Sequence, residues 1–175
     1  NQYMLHPEDY STMQQLANLY LAIDSIQKMV NLTGDYVKKD SSDTKMLNLY
    51  AKASYLNNDF VTSVKVYKKI ENMGVKFDYD QNFLAALANY KVDREFPYTA
   101  YDYLVKADSL SDGKFYAVKY YLGQMAEKTG QFKDAFTYYK QAFEIIKPDT
   151  VQLIQVTNNL GQAAMKCNSA IRATV

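Results

Sequence analysis

The residues that could carry chemistry are few. His6 is the only histidine, with Glu8 and Asp9 close by, a grouping that suggests a metal site. One imidazole near a terminus makes a poor ligand set, and the segment reads as solvated. Cys167 is the only cysteine. With no histidine in the later helical segments to activate it, it reads as a small apolar side chain or an exposed thiol. A lone cysteine also excludes an internal disulfide framework and fits either redox compartment. The phosphate-cradling, dinucleotide, zinc-protease and nucleophile-elbow motifs are all missing, and Gly123 and Gly130 have the wrong spacing for a phosphate loop. Acidic residues sit mainly near helix ends, where they stabilise first turns or form surface pairs. The Asn31-Leu32-Thr33 triplet matches a glycosylation acceptor, but such triplets arise by chance. No catalytic residue, metal ligand or cofactor is expected, and the chain is not expected to be an enzyme. What remains is aromatic: Tyr116, Tyr120 and Tyr121, then Tyr138 and Tyr139. These suit either wedges between helices or the lining of a binding groove.

The totals narrow the classes further. The chain has 175 residues, 20 Lys+Arg and 19 Asp+Glu, for a formal charge of +1. That balance supplies no bulk attraction to nucleic acid or an anionic membrane, so a partner is chosen by local surface. No apolar run approaches the roughly 20 residues of a membrane-spanning helix, and the N-terminus has no signal-type segment. A first residue of Asn1 rather than Met is expected of a processed product or an excised segment. Seventeen Tyr and eight Phe beside only three Pro and six Gly describe long helices packed through large side chains.

Periodicity places those helices. From Glu8 to Asn31 apolar residues recur at steps of three and four without Gly or Pro, which predicts one long helix. The polar stretch from Thr33 to Asp43 predicts a loop. Beyond it, stripes at Leu47, Tyr50, Ala51 and Ser54 and at Phe60, Val64, Tyr67 and Ile70 predict a helix pair turning at Asn57-Asn58. A second pair breaks between Arg94 and Pro97, a third at Thr129-Gly130, and a single helix runs from Thr150 to about Ala170. The whole is read as one helical-repeat domain over 1–175. It divides into an N-terminal helix and loop (1–43), pairs over 44–77, 78–112 and 113–149, and a C-terminal helix (150–175).

Small residues recur in phase, as close helix crossings require. Ala51, Ala88 and Gly123 hold one site on the first helices, and Ser63, Ala100 and Ala135 hold one on the second, with the latter spaced 37 and 35 residues apart. The unit from Tyr116 to Pro148 reads Leu122-Gly123, Ala126, Gly130, Phe132, Ala135, Tyr139, Ala142, Pro148. It closely resembles the tetratricopeptide consensus, whose period is about 34 residues. The resemblance covers roughly Thr44 to Ala164. It departs at Lys119, where the family prefers Trp or another large residue, at Ile70, which replaces a small one, and in the absence of a closing Pro from the first two units. It implies an all-α, αα-superhelical solenoid of about three helix pairs with an extra long N-terminal helix and a C-terminal capping helix. The phrases Lys106-Ala107-Asp108-Ser109-Leu110 and Ala22-Ile23-Asp24-Ser25-Ile26 are similar to helix ends of exported bacterial sensors and lipoproteins of this family, which favours the periplasm or cell envelope.

The family binds proteins or peptides through first-helix residues lining a concave face. Carried over to this chain, those positions are Lys45, Asn48, Lys52 and Tyr55, then Asn82, Ala85 and Asn89, then Tyr120, Gln124 and Glu127. Such a groove would hold an extended peptide through its amides, with Lys45 and Lys52 attracting a carboxylate. The pattern lacks the two-carboxylate clamp of chaperone-binding relatives, so a chaperone C-terminus is not expected. Protein or peptide binding is therefore the reading. The alternatives are a regulatory repeat region of a larger signalling protein, or a helical ligand-binding subunit of the carbohydrate-uptake type. The C-terminal helix spreads Val151, Ile154, Val156, Leu160, Ala164 and Met165 over more than one stripe. Val156 or another of these is expected near the surface, where it would drive self-association or docking of a further domain.

Overall fold

The computed structural model describes residues 10–95, 97–146 and 151–172. Nine helices occupy them, with no strand among the described residues: α1 (Tyr10–Ala22), α2 (Ile26–Lys39), α3 (Thr44–Leu56), α4 (Phe60–Asn72), α5 (Tyr79–Val92), α6 (Tyr98–Leu110), α7 (Tyr116–Lys128), α8 (Phe132–Ile145) and α9 (Val151–Arg172). They fall into two compact units, Asn1–Phe77 and Asp78–Val175, and in each unit successive helices pack on one another.

The first unit holds α1 to α4. The segment expected as one long helix is two. Asp24 adopts a left-handed conformation (φ 52°), and the Ser25 amide closes the turn on the Tyr20 carbonyl at 2.7 Å. No Gly or Pro announces this break, but Asp tolerates the left-handed region better than most side chains, and Asp-Ser suits a turn. The expected loop from Thr33 is likewise helical as far as Lys39. Only one of its faces is polar: Thr33 and Gly34 are buried while Lys38 and Lys39 face solvent. The Thr33 hydroxyl is satisfied within the helix by donating to the Met29 carbonyl at 2.8 Å. The N-terminal segment is therefore a further helix pair rather than a helix and a loop. Met13, Ala17, Met29, Met46, Leu49 and Ala53 form the core that joins it to α3.

Aspartates start three of the helices. Asp43 accepts from the amides of Lys45 and Met46, and Asp59 from that of Thr62. Asp78 forms a reciprocal capping box with Gln81. Each satisfies amides that the first helical turn leaves unpaired, typically worth about 1 kcal/mol. The turn from α3 to α4 runs through Asn58 at φ 61°, and that from α7 to α8 through Gly130 at φ 77°. Asn and Gly are the residues that reach this region at least cost.

The second unit holds α5 to α9. Ala88, Ala100, Gly123 and Ala135 are all buried, letting paired helices approach closely. Tyr139 lies wholly buried over Gly123, and Tyr120, Ala126, Ala135, Ala142, Ile146, Val156 and Ala163 complete the core beneath α9. Val156 is thus a core residue. Among the described residues, the large apolar side chains that α9 leaves at the surface are Val151, Ile154 and Met165. The hydroxyl groups of Tyr101 and Tyr138 share a hydrogen bond at 3.0 Å between α6 and α8. No helix of the described residues is long and apolar enough to cross a membrane.

Candidate functional site

In the first unit, the positions expected to line a groove lie along α3 at steps of three and four, which puts them on one side of the helix. Lys45 is exposed, its ammonium 5.4 Å from the centre of the Tyr10 ring. Asn48 and Lys52 are half-buried, and half-buried Tyr55 packs at 5.5 Å against Phe60.

In the second unit, α5 is rotated from the expected phase. Ala85 is fully buried and Asn82 nearly so, so neither offers side-chain surface to a ligand. The Asn82 amide donates to the Asp78 carbonyl, and the half-buried Asn89 amide to the Ala85 carbonyl, each at 2.8 Å. Phe83, Leu87 and Tyr90 line clefts instead. That face lies one to two residues later along the helix, at about 100° per residue. Alanines at 85, 86 and 88 account for the error: all three are fully buried, so small size here marks the packed side, and the rings mark the open one.

On α7, Tyr120, Gln124 and Glu127 do come together, around a cleft that also needs α8 and α9. Tyr120 is mostly buried, and its hydroxyl accepts from the Gln124 amide at 2.9 Å and the Asn159 amide at 3.3 Å. Glu127 accepts the Tyr139 hydroxyl on one oxygen at 3.0 Å and the Lys166 ammonium on the other at 2.5 Å. The resulting space, about 310 Å³, is lined by Tyr90, Gln124, Glu127, Lys128, Tyr139, Asn159 and Lys166. Asn159 and Lys166 had no signal in the local sequence. They are brought in from α9, 39 residues from their partners on α7.

A second cleft of about 280 Å³ is mainly apolar and has Tyr120 in its wall; the Tyr120 hydroxyl links it to the first through Gln124 and Asn159. Phe83, Leu87, Tyr116, Tyr121 and Val156 form its body, and the exposed amides of Gln152 and Gln155 its rim. Its aromatic rings form a connected belt: Tyr121 lies 6.1 Å from Phe83, 6.4 Å from Tyr90 and 5.7 Å from Tyr120, which in turn lies 5.9 Å from Tyr139. Edge-to-face and tilted rings at these separations hold each other in place, giving a stiff floor.

Burial keeps the hydroxyl groups protonated. It pushes the Tyr139 phenol well above the usual tyrosine range, and the adjacent Glu127 carboxylate pushes it further. Tyr120 is raised by burial against the opposing hydrogen bonds from Asn159 and Gln124, and Tyr90 by burial against the nearby charge of Arg94. The phenols therefore serve as neutral hydrogen-bonding groups and not as bases. The polar cleft has one carboxylate, and no cluster of three or more metal-ligating side chains occurs among the described residues. Cys167 is a free, half-buried thiol, and His6 lies outside the described residues. What the two clefts offer is amide hydrogen bonding, aromatic contact and positive charge.

Comparison with known proteins agrees with the helical arrangement. No protein-family model matches the sequence, and no curated protein matches it. Solved structures do. YrrB, described as a TPR protein with an unusual peptide-binding site, aligns with a TM-score of 0.75 at 15% identity, over 92% of this chain and 79% of its own. MamA from Desulfovibrio magneticus RS-1 aligns with a TM-score of 0.70 at 12% identity, over 94% of each chain. The TPR-like repeats of a putative kinesin light chain from Podosopora anserina align with a TM-score of 0.69 at 15% identity, over 97% of this chain and 92% of theirs.

Proposed function

We propose that this chain, whose fold is the tetratricopeptide solenoid shared with YrrB, MamA and the kinesin light chain repeats, is a non-catalytic adaptor that binds an extended peptide segment of a partner, and that the α5, α7 and α9 face of the second unit is where the segment sits. The observation that carries this reading is the pair of adjoining clefts around Tyr120, one aromatic and one rich in amides and lysines. An extended peptide needs what they supply: apolar pockets for alternate side chains, and amide groups for its own N–H and C=O. YrrB, a fold relative with a peptide-binding site, is consistent with that use. The α3 stripe of Lys45, Asn48, Lys52 and Tyr55 would be a further contact surface in the first unit.

A test uses the full chain to select binders from a displayed library of random twelve-residue peptides. Gln152→Ala with Gln155→Ala removes two exposed amides from the rim, so the helical circular dichroism should be unchanged while affinity for the selected peptides falls by about tenfold. Equal affinity in wild type and double variant would place the peptide elsewhere.

A further inference from the structure

The two clefts differ in chemistry and adjoin, which restricts what can occupy both at once. The first is an apolar pocket whose walls include Phe83, Tyr116, Tyr121 and Val156. The second, joined to it through the Tyr120 hydroxyl by Gln124 and Asn159, presents two ammonium groups, Lys128 and Lys166, against the single carboxylate of Glu127. Glu127 already has the Tyr139 hydroxyl on one oxygen and Lys166 on the other. Arg94 adds a further positive charge close enough to act on the Tyr90 phenol. The excess charge of the cleft is therefore positive. Lys128 is exposed and reaches the cleft from the last turn of α7, and the Lys166 side chain keeps about half its surface open to solvent (49%). Both can meet a second anion without giving up the bond that pins α9 to Glu127.

The spacing is set along α7, where Tyr121 of the apolar cleft and Lys128 of the polar one are seven residues apart, about 10 Å of helix rise. Tyr121 on the apolar side and Tyr139 on the polar side lie 5.7 and 5.9 Å from the Tyr120 ring centre. An extended chain advances about 3.3 Å per residue, so side chains two or three residues apart are about 7–10 Å apart.

We infer that the bound segment carries an apolar side chain and, two or three residues along an extended backbone, a carboxylate, the first held in the aromatic pocket and the second between Lys128 and Lys166. This rests on the peptide-binding reading above and adds the ligand's chemistry. Asn159 and Gln124 flank the carboxylate position, where their amide groups can meet the intervening backbone.

The same displayed library tests it by composition. Selected sequences should be enriched in Asp or Glu two or three positions from a large apolar residue, and depleted there in Lys and Arg. In one synthetic peptide from that pool, Glu→Lys should weaken binding by about tenfold or more, and added salt should weaken the parent peptide. Lys128→Glu reverses an exposed charge without disturbing the core. It should lose about tenfold for the acidic peptide and, on reselection, enrich basic residues at that position. Lys166→Gln provides a second protein variant, with affinity reduced in the same direction. Selected peptides with no acidic preference, or equal binding of the Glu and Lys peptides, would overturn this inference while leaving peptide binding intact. Failure of the full chain to select any peptide would overturn both.

Discussion

Gly123 lies directly beneath the ring of Tyr139: a Cβ built on that glycine would stand 2.7 Å from two ring carbons. Helix α7 meets α8 here with no side chain between backbone and ring. The closeness also fixes the polar site, because Tyr139 reaches past Gly123 to donate to Glu127 at 3.0 Å.

Gly123→Ala should therefore destabilise the protein even though alanine is the better helix former by about 1 kcal/mol. The ring has a fully buried setting and cannot move aside cheaply, so overpacking should outweigh propensity, and Gly123→Leu should cost roughly 1–3 kcal/mol or more. Denaturant midpoints measure this. A midpoint at or above wild type for the leucine variant would mean that α7 and α8 do not cross here.

The ion pair between Lys119 and Asp108, at 2.7 Å, joins α7 to α6 with side chains only 11% and 22% exposed. The Lys119 ammonium also lies 5.9 Å from the Tyr138 ring centre. Lys119→Met removes one partner and leaves the other carboxylate in a mostly buried place, which should cost about 3 kcal/mol. The double variant Lys119→Met with Asp108→Leu should recover part of that loss. If the single variant melts like wild type, the pair is not formed in solution.

Alkaline pH should unfold the chain through its buried phenols. Tyr138 and Tyr139 are both pushed well above the ordinary value of 10.0, chiefly by burial. Their folded pKa values exceed the unfolded ones, so the stabilisation is fully present below the unfolded value and is lost as pH rises from there towards the folded values. Stability should be flat approaching pH 10.0 and fall beyond it, with buried tyrosines ionising together on unfolding, as read by phenolate absorbance alongside circular dichroism. Smooth independent ionisation of every tyrosine without loss of helix would contradict the burial.

The α3 stripe can be separated from the second unit's clefts. Lys52→Glu reverses a charge on a half-buried side chain and should change stability by less than about 0.5 kcal/mol. It should weaken binding of peptides whose acidic end lies against α3, and leave binding at the α5, α7 and α9 face unaltered. Calorimetric titration of the selected peptides checks both.

Much of this fold can be read from residue order because its turns and crossings are local. Asn58, Gly130 and the three capping aspartates mark helix ends within a few residues of the contacts they make, and Ala88, Ala100, Gly123 and Ala135 recur at the repeat spacing. The N-terminal pair was hidden because Asp24 turns the chain without glycine or proline, and because Thr33 satisfies its hydroxyl inside α2 and so buries like an apolar residue. Lys119 occupies a place where a large side chain is expected by laying its stem and charge against Asp108 and Tyr138. The clefts were legible along α7, where Tyr120, Gln124 and Glu127 share one face. They were not legible on α5, where Phe83, Leu87 and Tyr90 line the clefts in place of Asn82 and Ala85, or on α9, since Asn159 and Lys166 meet α7 only through tertiary packing.

The central claim, that a peptide is held on the α5, α7 and α9 face, is tested most directly by backbone amide chemical shifts of the full chain titrated with one selected peptide. Shifts should concentrate in residues 83–90, 116–128 and 152–166, saturate together with a single affinity, and be lost in the Gln152→Ala, Gln155→Ala variant. Saturable shifts confined to α6 and α8, with these segments unmoved, would contradict it.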